Sequence, residues 1–101
     1  MNFVHNPNSS GTCLQGYVAV SYDTLVEVFG QPTFDETSGD DKVDIEWCLK
    51  FDDGVDATIY NWKDYDGGLT AMSMPDYRWH IGGRNAIAVS NVLEVLGEDN
   101  V

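Results

Sequence analysis

Asp44-Ile45-Glu46-Trp47-Cys48-Leu49-Lys50-Phe51-Asp52-Asp53-Gly54-Val55-Asp56-Ala57-Thr58-Ile59-Tyr60 is the stretch that decides the fold. From Asp44 to Phe51 polar and apolar residues alternate without a break, the period of a strand whose two faces meet different surroundings. Ile45, Trp47, Leu49 and Phe51 form the apolar face. Asp52-Asp53-Gly54 then turns the chain, and two registers compete. A two-residue Asp-Gly turn sets Phe51 opposite Asp56 and Leu49 opposite Thr58, which buries polar groups. A three-residue loop with Gly54 in the left-handed position sets Phe51 opposite Val55, Leu49 opposite Ala57 and Trp47 opposite Ile59. Only the second keeps one face apolar throughout, so the three-residue loop is the expected hairpin.

That register fixes the other face as well, pairing Lys50 with Asp56, Cys48 with Thr58, Glu46 with Tyr60 and Asp44 with Trp62. Tyr60 and Trp62 then point away from the core. If residues 77–81 add a strand to the same sheet, Tyr77, Trp79 and Ile81 face the core while Arg78 and His80 join the two rings outside. Gly82-Gly83 is expected to turn the chain into a last helix, whose free N-terminal amides, with Arg84 beside them, suit an anion. Tyr60, Trp62, Lys63, Arg78, His80, Gly82, Gly83 and Arg84 are therefore the candidate ligand-binding residues. They gather three of the five basic side chains in a chain of formal charge −12, next to aromatic rings. Cations beside rings suit a partner that carries negative charge and a flat group. Each piece also has a plainer role. The glycines serve as a tight turn, His80 as a hydrogen-bonded structural residue, and Lys63 as an exposed strand end. The rings would equally suit a face covered by the N-terminal segment or by a second protomer.

Working outward, residues 13–20 are rich enough in β-branched and aromatic side chains for a strand. Ser21 is a natural N-cap for the helix 22–29, in which Tyr22, Leu25, Val26 and Phe29 share one face and Gly30 with Pro32 mark the end. Residues 33–42 read as a polar, acidic loop. A helix over 84–96 places Ala86, Val89, Val92, Leu93 and Leu96 on one stripe, with Gly97 as its stop and Ile87 and Val95 as extra apolar positions. The expected architecture is α+β: a small antiparallel sheet with two helices packed on one face, in the order strand, helix, hairpin, strand, helix.

With 101 residues the chain suits one domain over 1–101, with residues 1–12 as a flexible segment and 98–101 as a frayed tail. Seventeen acidic residues against five basic ones repel nucleic acid and anionic membrane and attract basic protein surfaces. Direct nucleic-acid and membrane binding are accordingly not expected. Neither a signal-type start nor a long apolar run is present, which points to a cytoplasmic protein. Cys13 and Cys48 form no CxxC pattern and read as small hydrophobes. Together with His5 and His80 they match no zinc spacing, so neither metal nor cofactor is expected. The serines lack a nucleophile-elbow context, Asp52-Asp53 is a turn signal, and residues 35–44 lack the oxygen-ligand spacing of a calcium loop. No residue is assigned to catalysis.

Tyr22 to Pro32, Glu46-Trp47, Phe51-Asp52-Asp53-Gly54, the run from Ala57 to Lys63, and Trp79-His80-Ile81-Gly82-Gly83 together resemble a group of small uncharacterised bacteriophage proteins, over about residues 17–96. The helix that passes into a hairpin is also similar, in topology only, to a unit of β-lactamase inhibitory proteins and small outer-membrane assembly lipoproteins. The chain departs from those two families in having no export signal and no lipidation or disulfide framework. The phage resemblance implies an accessory protein inside an infected bacterium that binds and disables a host factor. The expected function is non-enzymatic: countering a host process or defence by sequestering a nucleotide-like anionic small ligand. One alternative is an acidic, nucleic-acid-mimicking inhibitor that uses the carboxylates of residues 35–66 on a basic host protein. Another is a small enzyme acting on a nucleotide. A homodimer is compatible with each.

Overall fold

The structure, a computed structural model, describes residues 1–8, 11–39 and 41–99. Strands β1 (Phe3–His5), β2 (Cys13–Ala19), β3 (Glu46–Phe51), β4 (Asp56–Tyr60) and β5 (Arg78–Gly83) form one antiparallel sheet in the order β1-β3-β4-β5-β2. Helices α1 (Tyr22–Phe29), α2 (Leu69–Ser73) and α3 (Ile87–Asp99) supply Leu25, Phe29, Ala71, Ala88, Val92, Val95 and Leu96 to a single core against Trp47, Leu49, Ile59, Trp79 and Ile81. The fold is thus α+β with its helices on one face of the sheet. It has one strand and one short helix more than the sequence pattern gave. Among the described residues no helix is long and apolar enough to cross a membrane.

The hairpin adopts the three-residue loop. Leu49 pairs with Ala57 and Trp47 with Ile59, Phe51 N–H donates to Val55 O, and Gly54 sits at φ 83°. Both core indoles keep their N–H groups satisfied, Trp47 on Gly30 O at 2.9 Å and Trp79 on Val20 O at 3.0 Å. Their rings meet edge to face at 5.4 Å. Ser21 Oγ caps α1 by accepting from Thr24 N–H at 3.1 Å.

Four expectations need correction. Phe3–His5, assigned to a flexible segment, extends the sheet beside β3, and His5 bonds Phe29 O at 2.7 Å and Thr33 Oγ1 at 2.6 Å. An imidazole at the carbonyl end of α1 is well placed for the helix dipole, which gives this terminus a reason to stay down. Second, the β3–β4 ladder ends at Glu46 and Tyr60 without reaching an Asp44–Trp62 pair. The fully buried Asn61 takes over there. Its Oδ1 accepts from the backbone N–H of Asp44 and Ile45, and its Nδ2 donates to Asp44 Oδ2, so Asp44 turns inward at 2% exposure.

Third, Gly82 and Gly83 are not a turn before a helix; they are the end of β5. A Cβ on Gly83 would collide with Ala88 Cβ on the core side, and one on Gly82 with Thr58 Oγ1 on the outer side. The pair is needed for close approach on both faces of the strand. Fourth, α3 starts at Ile87 and runs through Gly97 to Asp99. Seating Ala88 on Gly83 turns the helix so that Ala88, Val92, Val95 and Leu96 are buried, while Ala86 and Leu93 of the expected stripe are exposed. Of the expected frayed tail, Asn100 and Val101 lie outside the described residues.

Candidate functional site

With the helices on one side, the opposite face of the sheet carries no helix among the described residues. Because cross-strand partners share a face, Tyr17 on β2, His80 on β5 and Tyr60 on β4 stand in one row, and Trp62 follows just past the end of β4. The four rings form one cluster. His80 lies 4.9 Å from Tyr17, 5.4 Å from Tyr60 and 6.0 Å from Trp62, and Tyr60 lies 6.0 Å from Trp62. Tyr17 and Trp62 are 40% and 37% exposed, so rings remain open to solvent at both ends of the row.

Cations gather on these rings. Arg78 lies over Tyr17, its guanidinium carbon 3.8 Å from the ring centre, while Lys63 Nζ and Lys42 Nζ lie 5.6 and 5.9 Å from the centre of Trp62. The two lysines are brought together by the backbone, where Lys63 N–H donates to Lys42 O at 2.7 Å. Below them Tyr77 OH donates to Asp64 Oδ2 and accepts weakly from Trp62 N–H at 3.5 Å. Asn61 Nδ2 reaches the same carboxylate oxygen at 3.3 Å. Tyr77 is buried, and that burial, with its bond to Asp64, pushes its phenol well above the usual range, so it acts as a fixed donor. Lys63 is also held at φ 56°, a left-handed backbone that non-glycine residues seldom adopt.

Burial first, and the Arg78 charge second, push the His80 imidazole below its ordinary value against a smaller pull from Asp64. The ring is therefore neutral at pH 7. Its Nδ1 is buried with no hydrogen-bond partner among the described residues. Tyr60 is pushed up by burial and then by Glu46, so it remains a neutral phenol. Beside it burial raises Glu46, opposed by the bond it accepts from Cys48 Sγ at 3.4 Å. The Cys48 thiol is pushed up to about 12, mainly by burial and then by Glu46, which leaves it protonated and a poor nucleophile. A neutral histidine, two phenols and a protonated thiol can hydrogen-bond and stack; they offer no activated nucleophile.

Of the residues singled out from sequence, Tyr60, Trp62, Lys63, Arg78 and His80 come together on this face. Gly82 lies next to them in the floor with Thr58. Gly83 faces α3 and takes no part. Arg84 lies away from the rings, its Nη1 bonded to the buried Asp56 carboxylate at 2.8 Å. An anion cradle at a helix N-terminus is therefore not formed, since residues 82–83 are strand. Tyr17 and Lys42 were missed. Tyr17 was visible only as one aromatic within a strand of unknown neighbours, and Lys42 as one cation in an acidic loop.

A separate cleft of about 650 Å³ opens beside the loop 33–38. Asp35, Glu36, Asp44 and Glu46 line it with Phe34, and none of its lining residues is basic, so it does not suit an anion. Among the described residues, no group of three or more His, Cys, Asp or Glu side chains is arranged to hold a metal ion. Comparisons with protein-family models, with curated proteins and with solved structures give no match.

Proposed function

We propose that this chain is a binding protein that captures a planar, anionic, nucleotide-like ligand on the open face of its sheet. The observation that carries the reading is the placement of three of the five basic side chains, Lys42, Lys63 and Arg78, directly on the ring cluster of a molecule with formal charge −12. In a molecule whose net charge favours cations, these side chains put positive charge over a surface on which a base could stack. Stacking and charge-assisted bonds contribute on the order of 1–3 kcal/mol each, so two or three of them add up to about 2–9 kcal/mol, and only the upper end of that range reaches micromolar capture. The raised Cys48 thiol favours binding over nucleophilic catalysis. In the phage setting that the sequence resemblance implies, the protein works in the cytoplasm of an infected bacterium, withholding such a ligand from a host process or defence.

The nucleic-acid-mimic reading loses one carboxylate of the acidic stretch to the interior. A mimic needs its carboxylates in an exposed, phosphate-like row. Asp44 is instead buried, with its carboxylate bonded to Thr37 and Asn61. Calorimetric titration of a panel of linear and cyclic nucleotides into the protein and into Trp62→Ala tests the proposal. Saturable binding that the variant loses supports it, and no heat from any nucleotide sinks it.

A further inference from the structure

On the helix side of the molecule, α2 and the residues flanking it hold four large apolar side chains out to solvent. Tyr65, Leu69, Met72 and Met74 are 64%, 65%, 45% and 42% exposed. A single exposed apolar residue needs no explanation, but four within ten positions make a contiguous candidate for contact. Core packing does not account for them, because α2 is anchored through Ala71, its only buried residue.

The segment is also ordered. The Asp66 carboxylate accepts from Gly68 N–H at 3.1 Å, from Thr70 N–H at 3.0 Å and from the Thr70 hydroxyl. Met74 N–H closes the helix on Thr70 O at 3.1 Å. Tyr65 is fixed at φ 56° with its ring outward, a conformation that costs free energy and gains no burial. Between Lys63 and Arg78 the chain carries Asp64, Asp66 and Asp76 and no basic residue. α1, which packs on α2, shows exposed Asp23 and Glu27 and likewise no cation. A hollow of about 260 Å³ beside Tyr65 and Gly67 adds Asp41.

Charge complementarity therefore selects the occupant. We infer that this surface docks an amphipathic basic helix of a partner protein, with its apolar side on Tyr65, Leu69, Met72 and Met74 and its lysines or arginines over the acidic rim. Unbranched, polarizable methionines suit a helix whose side chains vary. A second copy of this chain would bring another −12 of charge against the same rim. The inference does not depend on the ring face, which lies across the sheet.

The test uses a fluorescently labelled synthetic Leu/Lys amphipathic helical peptide, its Leu/Glu counterpart, and a Ser/Lys peptide of equal charge, titrated with the full chain and read by anisotropy. Only the Leu/Lys peptide should bind saturably. Leu69→Ser/Met72→Ser, at two exposed positions, should weaken it about tenfold or more. Trp62→Ala should leave it unchanged. If the double variant melts below the parent, Asp76→Lys reads the same surface through charge alone and should also weaken binding. The inference is overturned by any of four results: no saturable binding of the Leu/Lys peptide, equal binding of the Ser/Lys peptide, affinity that neither α2 variant changes, or a homodimer that the double variant dissolves.

Discussion

Tyr17 on β2 and His80 on β5 are directly opposite each other and meet ring to ring, centroids 4.9 Å apart at 76°. The contact seals one side of an imidazole whose other neighbours are Tyr60 and Trp62, and it adds to the burial that, with Arg78, keeps the histidine neutral.

Stability should therefore fall as the solution is acidified through the histidine range. The His80 proton affinity is lowered in the folded chain, mainly by burial and then by Arg78, so the unfolded chain takes up the proton first. The contribution is complete above about pH 6.5 and is lost as pH falls through the lower folded value. Glu46 is shifted the other way, and comparing the wild type with His80→Gln removes its share. Urea melts between pH 7.5 and 5 should show a steeper loss for the wild type than for the variant. Parallel curves would mean that His80 titrates as in the unfolded chain.

Gly83→Ala should destabilise by about 1–3 kcal/mol, because the new methyl group meets Ala88 across the strand–helix contact. Ala88→Gly introduced with it should recover part of the loss despite its own helix-propensity cost. Chemical denaturation of the two single variants and the double variant measures the coupling. Strict additivity would show that Gly83 and Ala88 are not the contact that seats α3.

Trp47→Ala should cost about 3–5 kcal/mol, as a fully buried indole that packs on Trp79 and bonds Gly30 O is removed. A loss below about 1 kcal/mol in denaturant melts would contradict the assignment of the core face.

The hairpin was legible because alternation from Asp44 to Phe51 and the need to keep Asp56 and Thr58 off the core face left one register, and α1 because Ser21, Gly30 and Pro32 bracket an apolar face. What was not legible depended on contacts distant in sequence. Phe3–His5 is too short to show a period, and its place is set by β3 and by the carbonyl end of α1. The Gly-Gly pair has two local meanings, and only Thr58 and Ala88, from two other elements, choose between them. Arg84 could be read as a free cation until its cross-strand neighbour Asp56 was known. Tyr17 joins the ring cluster only because β2 pairs with β5, a strand order that no local pattern reveals.

The two cysteines should separate cleanly by reactivity. Cys48 is 3% exposed with its thiol pushed up to about 12, whereas Cys13 is exposed. Brief treatment of native protein with iodoacetamide at pH 8 should modify Cys13 alone, and both should react in urea. Peptide mapping by mass spectrometry reads the result. Native labelling of Cys48 at the rate of Cys13 would contradict the buried, protonated thiol beside Glu46.

The proposed function requires that the cations on the ring cluster make one face of an acidic protein a site for a planar anion. Calorimetric titration of the nucleotide panel into the wild type and into Lys42→Ala/Lys63→Ala tests it most directly, because the double change takes the formal charge from −12 to −14 while leaving the core untouched. The wild type should bind saturably, the variant should lose about tenfold or more in affinity, and the wild-type interaction should weaken as salt is raised. Equal affinity in the two proteins, or no binding by either, would contradict it.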